Sequence, residues 1–202
     1  MYQKHAKEIQ TMAQQSADHF VNTILVVALS IQQGWDQVGN MVEDININGD
    51  KSKFLWGFKI NTYRYLQSHK HFLFGQFMAV MNSTKSNHDK SISLMKIFLQ
   101  IDGLGLAKAG FCCQLTAGLV GCIDVHNIKI YDIKTNDLTL SKKVKSQSLK
   151  LKKIDKYITI CHNIGTENLW NTWCTYLSTK NKFWKDADHV SQVHVDYVKA
   201  FK

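Results

Sequence analysis

The chain has 202 residues, 45% of them hydrophobic and 20% charged, which excludes a disordered polymer and leaves enough apolar mass for a buried core. Its longest apolar run, Ile24–Leu29, is far too short to cross a bilayer. With 25 Lys and Arg against 16 Asp and Glu the formal charge is +9, which favours a polyanionic partner, nucleic acid ahead of a membrane surface.

The opening stretch, Met1–Ser16, is polar and lacks the apolar centre of a secretory signal. Five cysteines, an odd number with Cys112 and Cys113 adjacent, read as free buried thiols in a reducing compartment. A soluble, intracellular protein is the expectation. Proline is absent while lysine and asparagine are plentiful, the composition of an AT-rich genome of a viral kind; a viral source implies the host cytoplasm.

Apolar positions recur at helical spacing along almost the whole chain. Phe20–Ile31 reads as a buried helix bounded by Asp18 and Gly34. The turn-like stretch Asn46–Ser52 precedes a helix spaced by Phe54, Phe58 and Tyr65, and Phe72–Met81 forms the next. The polar residues Asn82–Lys90 then lead to a helix over Ile92–Ile101. Another helix covers Ala107–Leu119, and a short one runs over Asp124–Tyr131. Ser141–Tyr157 carries seven lysines against one aspartate. Two aromatic stripes close the chain, one through Leu169, Trp170, Trp173, Cys174 and Leu177, the other through Phe183, Ala187, Val190, His194, Tyr197 and Phe201. Such stripes are core, so the tryptophans carry no assigned chemistry. Alternating strand patterns and internal repeats are absent, and the chain reads as all-α.

Gly103 and Gly105 bracket Leu104 between two helices. Glycines permit a tight backbone path there, and a helix that starts just after it presents amide donors and a positive dipole end suited to a phosphate. Nineteen or so residues on, "CIDVHN" places Asp124 two positions before His126. By itself Asp124 reads first as a helix N-cap, the hairpin upstream brings catalysis slightly ahead, and the two roles are compatible.

With "LSIQQGWDQV" (Leu29–Val38), "IDGLGLAKAGF" (Ile101–Phe111) and "CIDVHN" (Cys122–Asn127) in this order, the chain resembles the helix-hairpin-helix DNA glycosylase superfamily, the endonuclease III and adenine-glycosylase group. The landmarks span residues 20–130, with 101–120 as the hairpin motif, and 92 positions separate Gln32 from Asp124. The resemblance implies a single two-lobed helical unit over residues 1–202, whose second lobe is completed by the basic and aromatic helices of residues 131–202. It implies double-stranded DNA as partner, a nucleotide flipped into a cleft, and Asp124 as the catalytic carboxylate. A carboxylate near the anomeric carbon stabilises an oxocarbenium-like sugar and orients the attacking water. Gln32 is expected to contact the space vacated by the base, and His126 to brace the Asp124 segment. Gly103, Gly105, Lys108, Lys142, Lys143 and Lys145 are the expected phosphate contacts, with room for a monovalent cation at the hairpin. Trp35, Tyr63 and Phe111 are candidates for stacking.

The sequence also departs from that family. Bifunctional members have a lysine two positions after the second hairpin glycine, where this chain has Ala107. Lys108 lies one residue later, a rotation of about 100°, so it is expected outside the cleft, on a phosphate or in solvent. The enzyme expected is therefore a monofunctional N-glycosylase, without a lyase step. Asp102 replaces the usual hairpin proline, and only Cys161 and Cys174 lie in the C-terminal third, too few for an iron–sulfur cluster. His69 and His71 diverge on a helix, CxxC pairs are lacking, and no resident metal or other cofactor is expected. Base-excision chemistry and non-catalytic DNA binding, as in a virion-associated protein that kept the scaffold, both remain open.

Overall fold

The computed structural model describes residues 3–134, 138, 140 and 146–201. Among the described residues ten α-helices follow one another: α1 Gln3–Gln15, α2 Ala17–Leu29, α3 Val38–Asn48, α4 Phe58–Met81, α5 Asn87–Phe98, α6 Leu106–Ala117, α7 Val125–Ile130, α8 Gln147–Ile164, α9 Thr166–Lys180 and α10 Ala187–Ala200. There is no strand among the described residues, so the all-α expectation holds. The helix starts are written locally. Ser16, Ser86, Ser146 and Asp186 each accept a hydrogen bond from the backbone N–H three residues on, satisfying a donor that the helix leaves orphaned.

The central element is α2, whose residues from Phe20 to Leu29 are buried except at Asn22. It packs against α1, α4, α6 and α10, so a helix apolar on every side is what its position requires. Phe20 lies 4.7 Å from Phe77 and 6.1 Å from Phe98, centroid to centroid, locking α2 to α4 and α5. Burying such a ring contributes on the order of 2–3 kcal/mol. The buried hydrophobics form one continuous cluster that runs from α1 to α10.

Several boundaries differ from the sequence reading. The polar opening segment is a helix, α1, buried on a narrow face through Ala6, Ile9, Met12 and Ala13. Asn46–Asn48 belong to α3 rather than to a turn. The two helices expected around Phe58 and Phe72 are one, α4, with Phe72 exposed on its outer side. Phe183 precedes α10 and is exposed, leaving the stripe it was assigned to.

The first turn of α4 positions two surface loops. Lys59 is buried, and its Nζ donates to the Leu29 carbonyl at the end of α2 (2.9 Å). One residue earlier, the Phe58 ring occupies the space a side chain on Gly103 would need. Thr62 Oγ1 donates to the Asp102 carbonyl at 2.8 Å. The loop after α2 and the turn before α6 thus share one anchor.

Candidate functional site

The turn between α5 and α6 is closed by the Ile101 N–H on the Phe98 carbonyl (3.1 Å) and the Leu104 N–H on the Ile101 carbonyl (3.2 Å). Ile101 and Leu104 point into the core, fixing the turn from beneath. Gly103 has φ +82°, a left-handed conformation that disfavours any side chain, and Phe58 blocks the space as well. Gly105 is different: its φ of −87° suits any residue, and nothing lies within 4 Å of where a Cβ would stand. It starts α6 without a side-chain cap. A surface cavity of about 330 Å³ runs along Leu99–Gly105 to Lys150 at the start of α8.

In the loop after α2, Gln32 is exposed and has φ +58°, uncommon for a residue with a side chain. Ser30 ends α2, and Lys108 reaches it from α6, Nζ to Oγ at 3.1 Å. Lys108 also sits over the Phe111 ring, 5.5 Å from its centroid. It is therefore turned inward toward the α2 loop, contrary to the outward, solvated placement expected from its one-residue offset. The long aliphatic stem lets the amine reach past the helical phase. Lys59 meets no carboxylate among the described residues, and burial, with the nearby Lys108 charge added, lowers its pKa.

Beneath Lys108 lies an aromatic cluster. Trp35 stacks on His194 at 3.8 Å and 23°, with Phe111, Trp170 and Trp173 around them. Trp35 and Phe111 are core, which removes them as stacking platforms for a ligand; Tyr63 is partly buried. His194 Nδ1 faces the Val190 carbonyl (3.2 Å), while its Nε2 and the Trp35 Nε1 have no partner among the described residues. Burial pushes the His194 pKa down to about 3, and the Lys108 charge adds to that.

Asp124 is the N-cap of α7. Its Oδ1 accepts from the His126 N–H (3.0 Å) and the Asn127 N–H (2.9 Å), while Oδ2 takes no hydrogen bond from any described residue. The side chain is half-exposed. Burial raises the pKa of the Cys122 thiol, with the Asp124 charge adding to the shift and the Lys108 charge opposing it. His126 contributes its backbone to the cap, and its ring stacks on Tyr176 at 3.5 Å. Burial lowers the His126 pKa, with Asp124 opposing the shift.

The segment leading to Asp124 has no regular secondary structure, and buried side chains take its backbone groups. Gln114 Oε1 accepts from the Cys122 N–H (3.0 Å), and Asn127 Nδ2 donates to the Cys122 carbonyl (2.8 Å). The Tyr157 hydroxyl accepts from the Ile123 N–H (2.8 Å) and donates to the Gly121 carbonyl (2.9 Å). A Cβ on Gly110 would fall 2.6 Å from both the Gly121 carbonyl and the Tyr157 hydroxyl, so α6 touches this segment through bare backbone.

Lys59, Gln114, Asn127 and Tyr157 were not singled out from the sequence; each acts through partners distant along the chain or on a buried backbone. Lys142, Lys143 and Lys145 lie outside the described residues. All five cysteines are free and buried. Among the described residues no three His, Cys, Asp or Glu side chains group as metal ligands, and no helix is long and apolar enough to cross a membrane. Comparison with models of known families, with curated proteins and with solved structures finds no match.

Proposed function

We propose that this chain is a DNA-binding enzyme of the helix-hairpin-helix glycosylase type, excising a base by hydrolysis with Asp124 as the carboxylate. The observation that carries the reading is the state of Asp124 itself. One oxygen is committed to the α7 cap and holds the group in place, while the other takes no hydrogen bond from any described residue, and the residue is partly exposed. A carboxylate fixed in this way can stabilise positive charge on a sugar and orient a water without reorganising.

The turn at Gly103, the uncapped start of α6, and Lys150 in the adjoining cavity suit a phosphate backbone. Exposed Gln32, on the loop that Lys59 and Lys108 hold from within, suits contact with a distorted duplex. No step requires Lys108 as a nucleophile, so the product expected is an intact abasic site.

The test uses duplexes carrying uracil, oxidised, alkylated and hypermodified bases, with abasic sites read by alkaline cleavage. Asp124→Asn keeps an N-cap of nearly equal quality, so its stability should change by only a few tenths of a kcal/mol. Excision by the wild type that is lost in Asp124→Asn supports the reading. Tight duplex binding with no abasic product across the panel would leave DNA binding alone and refute the enzyme.

A further inference from the structure

Resting on that reading of Asp124, we infer that Tyr157 is the residue that positions the catalytic segment, with Gln114 and Asn127 completing the hold. Among the described residues the Asp124 side chain is bonded only to the two amides it caps, and both belong to the same short helix. α7 runs only over Val125–Ile130, and Val125 and Ile130 are exposed. A helix this short does not fix its own N-cap in space, because a single turn gains too few hydrogen bonds to be stable alone. α7 leans on α9, where the His126 ring stacks on Tyr176, and the other hold on Asp124 acts through the backbone that precedes it.

That backbone is gripped at consecutive peptide groups. Tyr157, fully buried on α8, spans the Gly121 carbonyl and the Ile123 N–H with one hydroxyl, accepting from one and donating to the other. Its phenol stays protonated, since burial raises its pKa well above the ordinary value, and so it keeps the hydrogen it donates. Gln114 on α6 takes the Cys122 N–H; its own Nε2 donates to the Thr166 carbonyl (2.8 Å), and Gln10 holds its backbone carbonyl (2.9 Å). Asn127 returns from α7 to the Cys122 carbonyl.

Three elements, α6, α7 and α8, thus converge on Gly121–Ile123, and Asp124 is the next residue. The placement of Tyr157 is also sterically exclusive. The 2.6 Å separation from a Cβ on Gly110 leaves the hydroxyl room only because α6 carries no side chain there. Moving this segment by 1 Å would displace Oδ2 by a comparable amount, and misplacements of that size cost about 100-fold in rate. Tyr157 touches no substrate in this arrangement; it is a positioning residue.

The experiment compares Tyr157→Phe, which keeps the ring and removes only the hydroxyl, with Phe77→Leu, a core change between α2 and α4. Each is measured for thermal midpoint, duplex Kd, single-turnover excision rate and amide hydrogen exchange. Tyr157→Phe is expected to lose about 100-fold in rate with Kd within twofold of the wild type. Phe77→Leu should keep its rate at a similar loss of midpoint. Equal rates in the two variants would overturn the inference, because the hydroxyl would then be merely structural.

Should Tyr157→Phe fail to fold, Asn127→Ala, which removes the short bond to the Cys122 carbonyl and the long one to Leu169, is expected to show the same split between rate and Kd. Unchanged rate in that variant counts against the inference. If the wild type itself yields no abasic product, the catalytic reading fails separately. The positioning role is then decided by exchange at the Ile123, His126 and Asn127 amides. Selective acceleration there in Tyr157→Phe but not in Phe77→Leu supports it, and equal exchange in both rejects it.

Discussion

Replacing His194 by phenylalanine should make the protein markedly more resistant to mild acid. His194 is fully buried against Trp35, and its pKa is held down to about 3 by burial, from an unfolded value of 6.5. Lys108 faces it with like charge, and the Val190 carbonyl on Nδ1 only partly offsets this. The native state therefore binds fewer protons than the unfolded chain between those two values. The stability is fully present above pH 6.5 and drains away as pH falls toward 3, at about 1.4 kcal/mol per pH unit. From pH 7 to pH 4.5 this amounts to about 2.5 kcal/mol, and to roughly 4 kcal/mol by pH 3. Urea unfolding at pH 7 and pH 4.5 measures it, with the other titrating groups cancelling between wild type and His194→Phe. The wild type should lose about 2.5 kcal/mol more than the variant over that interval. A difference under about 0.5 kcal/mol would refute the reasoning, since it would mean that the imidazole is protonated as readily in the fold as outside it.

The two hairpin glycines should separate sharply. Gly103→Ala meets both a left-handed backbone and the Phe58 ring, and should cost on the order of 2–3 kcal/mol, whereas Gly105→Ala should stay within about 1 kcal/mol; thermal melts read both. The thiols should be silent in the native state. All five are buried, and burial raises their pKa values, to about 12 for Cys113 and Cys161, so an aromatic disulfide reagent at pH 8 should label none until denaturant exposes all five.

The sequence was most legible where one physical force dominates. α2 announces itself because nearly every residue is apolar, and the α9 stripe through Trp170 and Trp173 is buried as its spacing requires. α1 was hidden because only a narrow face of it is buried among glutamines and lysines. Asp124 could be read as an N-cap from its place before a short apolar run, and it is one. Tyr157 could not be connected with it, since the link crosses more than thirty residues and ends on backbone atoms that carry no sequence signature. Lys108 was misplaced for a related reason. Helical phase sets where a Cα lies, while a lysine stem has the length to carry its charge elsewhere.

The shared anchor at the start of α4 has a dynamic consequence. Lys59, Phe58 and Thr62 tie the α2 loop and the hairpin turn to the start of one helix, so a displacement of that helix start reaches both. Surface loops ordinarily fluctuate independently, each with its own small opening free energy. Here the loops that carry Gln32 and Gly103 are expected to fluctuate together. A ligand that grips either one stiffens both, and the two ends of a binding surface tighten in a single step.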